Sequence, residues 1–288
     1  MEKMRILLLG NQNWGKLCVE RLIQENENLV GIVTDEPPEK ENWYSSMWEI
    51  GEKNNIPVFH SKMIRKEVET ILSYNPELII SVGFRQILPV EIIAYPKQGC
   101  INLHGSLLPK FRGHAPINWA IIKGEKEVGI TVHYIDENVD TGTIITQRSV
   151  PISDEDTATT VYEGTLPIYP QLLMEAVNLI KSGNVMPKKQ HPEEGFYCCR
   201  RYPKDSQSKW EKQTAEETHN FVRALSFPYP QSFTYFGDQK IFITKTTLLE
   251  KKYFGKPGRV GYKFKNKVII ICKNRGIQID KIKLGDKS

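Results

Sequence analysis

The chain has 288 residues, 40% hydrophobic and 25% charged, with a formal net charge of +5. This is an ordinary globular balance, long enough for two domains. Its apolar runs fall well short of the ~18–20 residues of a membrane-spanning helix, and the amino-terminal one is too short for a secretory signal. Five cysteines without ligand spacing suggest neither a disulfide framework nor a metal site, so a cytoplasmic protein without membrane association is expected.

Residues 4–10 form a short continuous apolar run, as in a strand buried on both faces. Residues 13–24 follow with helical spacing of Trp14, Leu17, Cys18 and Leu22. A second buried strand is expected at 29–33. The connection 36–48 is polar and carries Trp43, Tyr44 and Trp48, with a helix at its end reaching about residue 54. Residues 67–74 suit a helix stopped by Pro76, and 78–82 and 100–103 are further buried strands. Alternating strands and helices predict a doubly wound, mostly parallel α/β sheet with right-handed crossovers, Rossmann-like in outline.

Pro116 suits the first turn of a helix and Gly124 the position past its end. Residues 127–135 and 143–150 read as two strands around a 136–142 turn. Residues 156–181 are helical, with Pro167 and Pro170 as interruptions and Gly183 as the stop. Composition changes near 200–205, which divides the chain into 1–200 and 201–288. After a short helix at 215–225 come strand patterns separated by Gly237-Asp238, Lys256-Pro-Gly258 and Asn274-Arg-Gly276, predicting a small β-rich, barrel-like domain. Residues 239–288 hold fourteen Lys or Arg against three Asp or Glu, a local balance of +11. Such a tail suits nucleic acid or, more commonly, a solvated lysine surface.

The stretch 102–116 carries the most chemistry. Asn102 and His104 are two apart, so on a strand they share a face, and Gly105 permits a sharp exit. Ligands of open α/β sheets gather at the carboxyl ends of strands. Asp140 lies just past the second apolar run, 129–135. Two strand ends side by side would gather an amide, an imidazole and a carboxylate around one carbonyl. Taken singly, an Asn at a strand end is usually a turn or cap residue and a lone His a packing residue. The complete string is what carries the argument.

The Asn102-x-His104-Gly-Ser-Leu-Leu-Pro motif with the later Val139-Asp140-Thr-Gly resembles the folate-dependent formyltransferase family. The resemblance runs over roughly residues 4–283. The string Lys110-Phe-Arg-Gly-His-Ala-Pro-Ile-Asn-Trp-Ala120 is most similar to nucleotide-sugar N-formyltransferases. The resemblance implies Asn102, His104 and Asp140 as catalytic residues. Asn102 would donate to the developing oxyanion, His104 would donate or accept a proton, and Asp140 would favour the imidazolium or relay the amine proton. Whether His104 or Asp140 is the working base stays open. The implied donor is 10-formyltetrahydrofolate, with no metal. Its slot would lie between Phe84, Arg85, Ile87 and Leu88 on one segment, the loop of Ser106, Leu107, Leu108 and Pro109, and a third segment with Ile135, Asp136 and Asn138.

The expected acceptor is the amine of a nucleotide-linked amino sugar, such as a dTDP-linked 3- or 4-amino-dideoxyhexose in lipopolysaccharide or glycan assembly. Asn11, at the start of the first helix, Trp14, His114 and Arg201 are the candidate contacts, Arg201 because a guanidinium matches phosphate oxygens. His133 is expected to be structural. UDP-linked 4-amino-arabinose is a rival, because Arg200-Arg-Tyr-Pro-Lys-Asp-Ser206 resembles the transformylase of that pathway. Methionyl-tRNA is the runner-up on account of the basic tail. Against it, residues 35–53 hold six acids and two lysines where the tRNA enzymes carry a basic insertion. Nucleic acid is therefore not expected as a partner, and the resemblance to sugar formyltransferases suggests a homodimer. The 10–15 segment lacks dinucleotide G-x-G-x-x-G spacing, and 136–140 does not fit a calcium loop, so neither a dehydrogenase nor an EF-hand is expected.

Overall fold

The computed structural model describes residues 3–35, 46–265 and 267–287, without the side chains of residues 192, 286 and 287. The acidic connection 36–45, with Trp43 and Tyr44, lies outside the described residues. Residues 1–113, 129–150 and 164–197 form one compact unit; residues 114–128, 151–163 and 198–288 form a second.

The first unit is built on a seven-stranded sheet in the order β3-β2-β1-β4-β5-β7-β8. Its strands are β1 (Arg5–Gly10), β2 (Asn28–Thr34), β3 (Val58–His60), β4 (Leu78–Val82), β5 (Cys100–His104), β7 (Glu127–Tyr134) and β8 (Ile144–Pro151), with a two-residue strand β6 (Arg112–Gly113) between β5 and β7. The strands β3 to β5 in that order are parallel, and β7 runs antiparallel to β5. The apolar run of β1 shows why it is central. Ile6 and Leu8 enter one core, and Leu7 and Leu9 enter the other, as a two-residue period requires.

The helices of this unit are α1 (Gln12–Gln24), α2 (Met47–Lys53), α3 (Val68–Ser73), α4 (Val90–Ala94) and α7 (Ile168–Ser182). Helix α1 buries Gly15, Cys18, Val19 and Leu22. Its Trp14 stacks on Tyr169 of α7 at a centroid distance of 5.2 Å. Between β8 and α7 lies α6 (Ala158–Thr165). The 156–181 region is thus two helices that part near Pro167. Pro170 does not interrupt, because it falls in the first turn of α7, where a missing N–H costs little. Gly183 closes α7 in the left-handed conformation at φ 68°.

The second unit contains α5 (Pro116–Lys123), with Pro116 at its first position and Gly124 left-handed after its end, as the sequence predicts. After the short strand β9 (Tyr197–Cys198), which pairs with β6, come α8 (Ala215–Ala224) and an antiparallel sheet. That sheet has the order β10-β11-β14-β13-β12, from β10 (Ser232–Phe236), β11 (Gln239–Thr247), β12 (Val260–Phe264), β13 (Lys267–Ile271) and β14 (Gly276–Lys287). Thr214 and Glu217 form a reciprocal capping box at the start of α8. Two contacts tie α8 to earlier parts of the chain. Buried Asn118 of α5 donates to the Ala224 carbonyl at 2.7 Å, and Arg223 donates to the carbonyls of Ser153 and Asp156 at 3.0 and 2.8 Å.

Candidate active site

The site forms in the first unit, where β5 ends beside β7. Antiparallel register sets Asn102 opposite His133 and His104 opposite Thr131. Residues opposite each other in such a pair project from the same face. The Asn102 amide nitrogen accordingly lies 3.2 Å from His133 Nε2. His133 Nδ1 is 2.8 Å from the Tyr134 carbonyl, which can only accept, so that nitrogen carries a proton. In the neutral ring Nε2 is then an acceptor and takes a hydrogen bond from Asn102. This fixes which end of the amide faces inward and leaves its second N–H for another acceptor.

Asp140 reaches the same place from the turn after β7. Its carboxylate lies 3.5 Å from His104 Nδ1 through one oxygen and 3.6 Å from His133 Nε2 through the other. The Gly113 N–H donates to it at 2.8 Å. Burial alone would raise this carboxyl; at the acid pH where a carboxyl titrates, the protonated forms of the two imidazoles and the Gly113 N–H outweigh burial and hold it well below the ordinary carboxylate range. Asp140 is therefore ionised. His104 is buried, and burial pulls its imidazolium down, against the opposing effects of Asp140 and the Phe111 carbonyl. Its Nε2 lies 2.9 Å from the Phe111 carbonyl and so donates to it. A neutral His104 keeps that proton and turns the Nδ1 lone pair toward Asp140, ready to take a second proton beside a fixed anion.

The three residues singled out in the sequence thus come together. The loop of Ser106, Leu107, Leu108 and Pro109 beside them is tied to β7 and β8. Thr131 donates to the Ser106 carbonyl at 2.6 Å and accepts from the Leu108 N–H at 3.1 Å, while Gln147 donates to the Leu108 carbonyl at 2.8 Å. The segments 84–89 and 135–140 flank a recess of about 290 Å³ lined by Leu88, Val90, Ile93 and Glu137. Phe84 packs at the edge of the core, whereas Ile87, Val90 and Val139 expose apolar surface. Ile135 is pinned to the Cys100 carbonyl, and Asp136 caps its own turn by accepting from the Asn138 N–H and the Thr141 hydroxyl.

The remaining candidates are placed differently. Arg85 makes a two-pronged ion pair with Asp35. The Asn11 side chain is fully buried and is shared between Asp35 and Thr34. Trp14, besides its stack on Tyr169, donates to the Thr165 hydroxyl at 3.3 Å. His114 and Arg201 belong to the second unit. His114 is exposed there, and the Arg201 guanidinium lies over the Trp119 and Phe221 rings at 5.2 and 5.3 Å.

Sequence reasoning missed three participants. His133, expected to be structural, faces Asn102; the signal was its parity on β7, usable only once the register is known. Buried Arg112 and Gln190 both bond the Asp140 carbonyl, and nothing in the separation of 112, 140 and 190 announces that meeting.

An amide donor, a buried imidazole and an ionised carboxylate at the end of a mostly parallel sheet make a site for transferring an acyl group to a nucleophile. Residues 4–177 match the formyl transferase family and residues 202–288 its C-terminal domain, so the chain belongs to this family and is a formyl-transferring enzyme. It is 37% identical over 255 residues to a methionyl-tRNA formyltransferase of Clostridioides difficile, covering 86% of this chain and 82% of that protein. It is 32% identical over 280 residues to the bifunctional polymyxin resistance protein ArnA of Wigglesworthia glossinidia brevipalpis, covering 96% of this chain and 42% of that longer protein. In fold it is similar to WlaRD, a sugar 3N-formyl transferase crystallised in the presence of dTDP and 5-N-formyl-tetrahydrofolate. The TM-score is 0.75 at 23% identity over the whole of both chains. None of the helices described is long and apolar enough to cross a membrane.

Proposed function

We propose that the enzyme moves a formyl group from 10-formyltetrahydrofolate to the amine of a nucleotide-linked amino sugar. The carrying observation is that Asp140 lies within ion-pairing reach of both His104 and His133, while Asn102 lies within hydrogen-bonding reach of His133. The folate supplies the activated one-carbon group. The recess beside Leu88 and the exposed apolar Ile87 and Val139 suit a flat ring system with polar edges, which backbone groups of 84–89, 106–109 and 135–140 would address.

In this mechanism the Asn102 N–H not engaged by His133 meets the oxygen on which negative charge develops. The His104–Asp140 pair takes the proton released by the attacking amine and returns it to the folate nitrogen as its bond to the formyl carbon breaks and tetrahydrofolate leaves. Neutral His104 gains that proton on Nδ1, and the Asp140 carboxylate stabilises the imidazolium formed. Near-complete burial of His104 strengthens this electrostatic help and keeps water from competing with the amine.

For the acceptor, the acidic 35–53 sequence and the fold shared with a sugar N-formyltransferase support a sugar nucleotide. The second proposal, methionyl-tRNA, is favoured by the 37% identity to a tRNA enzyme and by the +11 balance of residues 239–288. The deciding experiment gives purified protein 10-formyltetrahydrofolate with either a panel of dTDP- and UDP-linked amino sugars or charged initiator tRNA, in the presence of a chelator. One formyl group gained on a sugar amine, read by mass spectrometry, is expected. Efficient formylation of the tRNA with an inert sugar panel would overturn the acceptor assignment and leave the chemistry standing.

A further inference from the structure

We propose that Gln190 is a positioning residue for Asp140, acting through the 140–142 turn and the Arg112 guanidinium. The inference rests on Asp140 working at the reaction centre. Gln190 lies far along the chain, between α7 and β9, yet its side chain is buried beneath that turn. Its amide nitrogen donates to the Asp140 carbonyl at 3.0 Å and to the Gly142 carbonyl at 2.7 Å. Its amide oxygen accepts from Arg112 Nε at 3.2 Å and from an Arg112 terminal nitrogen at 2.8 Å. All four hydrogen-bonding positions of one amide are filled, in a place that water does not reach.

Arg112 completes the device. It also donates to the Asp140 carbonyl at 3.2 Å, and its guanidinium lies 5.6 Å from the Tyr197 ring centroid. Among the described residues its side chain has no carboxylate partner, so its buried charge is met by neutral acceptors and a ring face. The next residue, Gly113, holds the Asp140 carboxylate itself. Strand β6 therefore grips Asp140 at both its backbone and its side chain, and Gln190 braces the guanidinium from the far side. Asp140 needs such bracing because it sits at φ 56°, a left-handed conformation that a non-glycine residue adopts at a cost. The brace decides where the carboxylate stands relative to His104 and His133.

The discriminating variant is Gln190→Glu. It has the same shape and still accepts from Arg112, but it loses both donations to the turn. Gln190→Leu removes all four bonds. Each should lower kcat by roughly 10- to 100-fold, as loss of an outer hydrogen-bond partner does, with KM for 10-formyltetrahydrofolate and acceptor within ~3-fold. The groups facing Asp140 are His104, His133 and Arg112. A carboxylate drawn away from His104 no longer supports the imidazolium, so the acid limb of kcat should move to lower pH, which a purely structural role would not produce. If Gln190→Leu fails to fold, Gln190→Glu decides. Wild-type kcat and an unmoved pH profile in folded Gln190→Glu overturn the inference. An Asp140→Asn control separates the failures: if it remains active, the catalytic assignment is wrong; if it is inactive while Gln190→Glu is normal, only the bracing role is wrong.

Discussion

A single added methyl group at Gly142 should disable the enzyme without touching any polar side chain of the site. A Cβ on Gly142 would lie 1.8 Å from the Tyr134 carbonyl oxygen and 2.7 Å from its carbon, both backbone atoms, whereas real Cβ contacts essentially never fall below 3.0 Å. That carbonyl is hard to move. Tyr134 N bonds the Thr143 carbonyl at 2.9 Å, Ile135 N bonds the Cys100 carbonyl at 2.8 Å, and His133 donates to the same oxygen. The turn must retreat instead, by something over ~1 Å, and it carries Asp140 two residues away. A misplacement of about 1 Å costs on the order of 100-fold in rate. Overpacking of this kind costs about 1–3 kcal/mol of stability, and Tm falls by ~2–4 °C per kcal/mol in a protein of this size class. Gly142→Ala should therefore show a single-turnover formyl-transfer rate down by about two orders of magnitude. Its Tm should be only a few degrees lower and its folate affinity retained. A variant with the wild-type rate would refute the placement of Asp140 by this turn.

Asn102→Ala should lower kcat by roughly 100-fold or more with little change in KM, as for other oxyanion donors, checked by steady-state kinetics. Because burial depresses His104 below the ordinary histidine value of ~6.5, the unfolded chain binds that proton first as pH falls. Stability should decline from about pH 6.5 downward until His104 protonates in the folded state; the depressed Asp140 adds a second loss below about pH 4. Tm measured against pH checks both, and a His104→Gln variant should lack the first decline. Tyr169→Ala removes a side chain that is 1% exposed and stacked on Trp14, and should cost about 3–5 kcal/mol in denaturant unfolding.

The gathering of Asn102, His104 and Asp140 at one strand end was legible because parity and strand ends are sequence properties: two residues two apart on an apolar strand share a face wherever the strand lies. Pro116 and Gly124 likewise announced the ends of α5 through their own backbone preferences. The failures have a common cause in context. The three-residue β3 and five-residue α4 are too short to show a period and owe their form to the sheet beside them. Pro170 reads as a helix breaker until it is known to lie in the first turn. Asn11, expected at the substrate, shows no sequence sign that Asp35 and Thr34 would engage its amide. His133 and Gln190 reach their places beside Asn102 and Asp140 through register and long-range packing, which no local pattern encodes.

The second unit is not the carboxyl-terminal piece of the chain. Its helix α8 leans on Asn118 and on the carbonyls of Ser153 and Asp156, all drawn from the 4–177 family segment that also supplies Asn102, His104 and Asp140. The polypeptide passes from one unit to the other and back more than once before residue 200. A fragment beginning near residue 201 would expose the surface of α8 that α5 covers and leave the Asn118 and Arg223 contacts unmade. The two family segments are thus poor candidates for exchange as modules: a chimera joined at that boundary would need the 114–128 and 151–163 stretches from the same parent as its tail. Change in one part is constrained by change in the other, although the sequence presents them as separable.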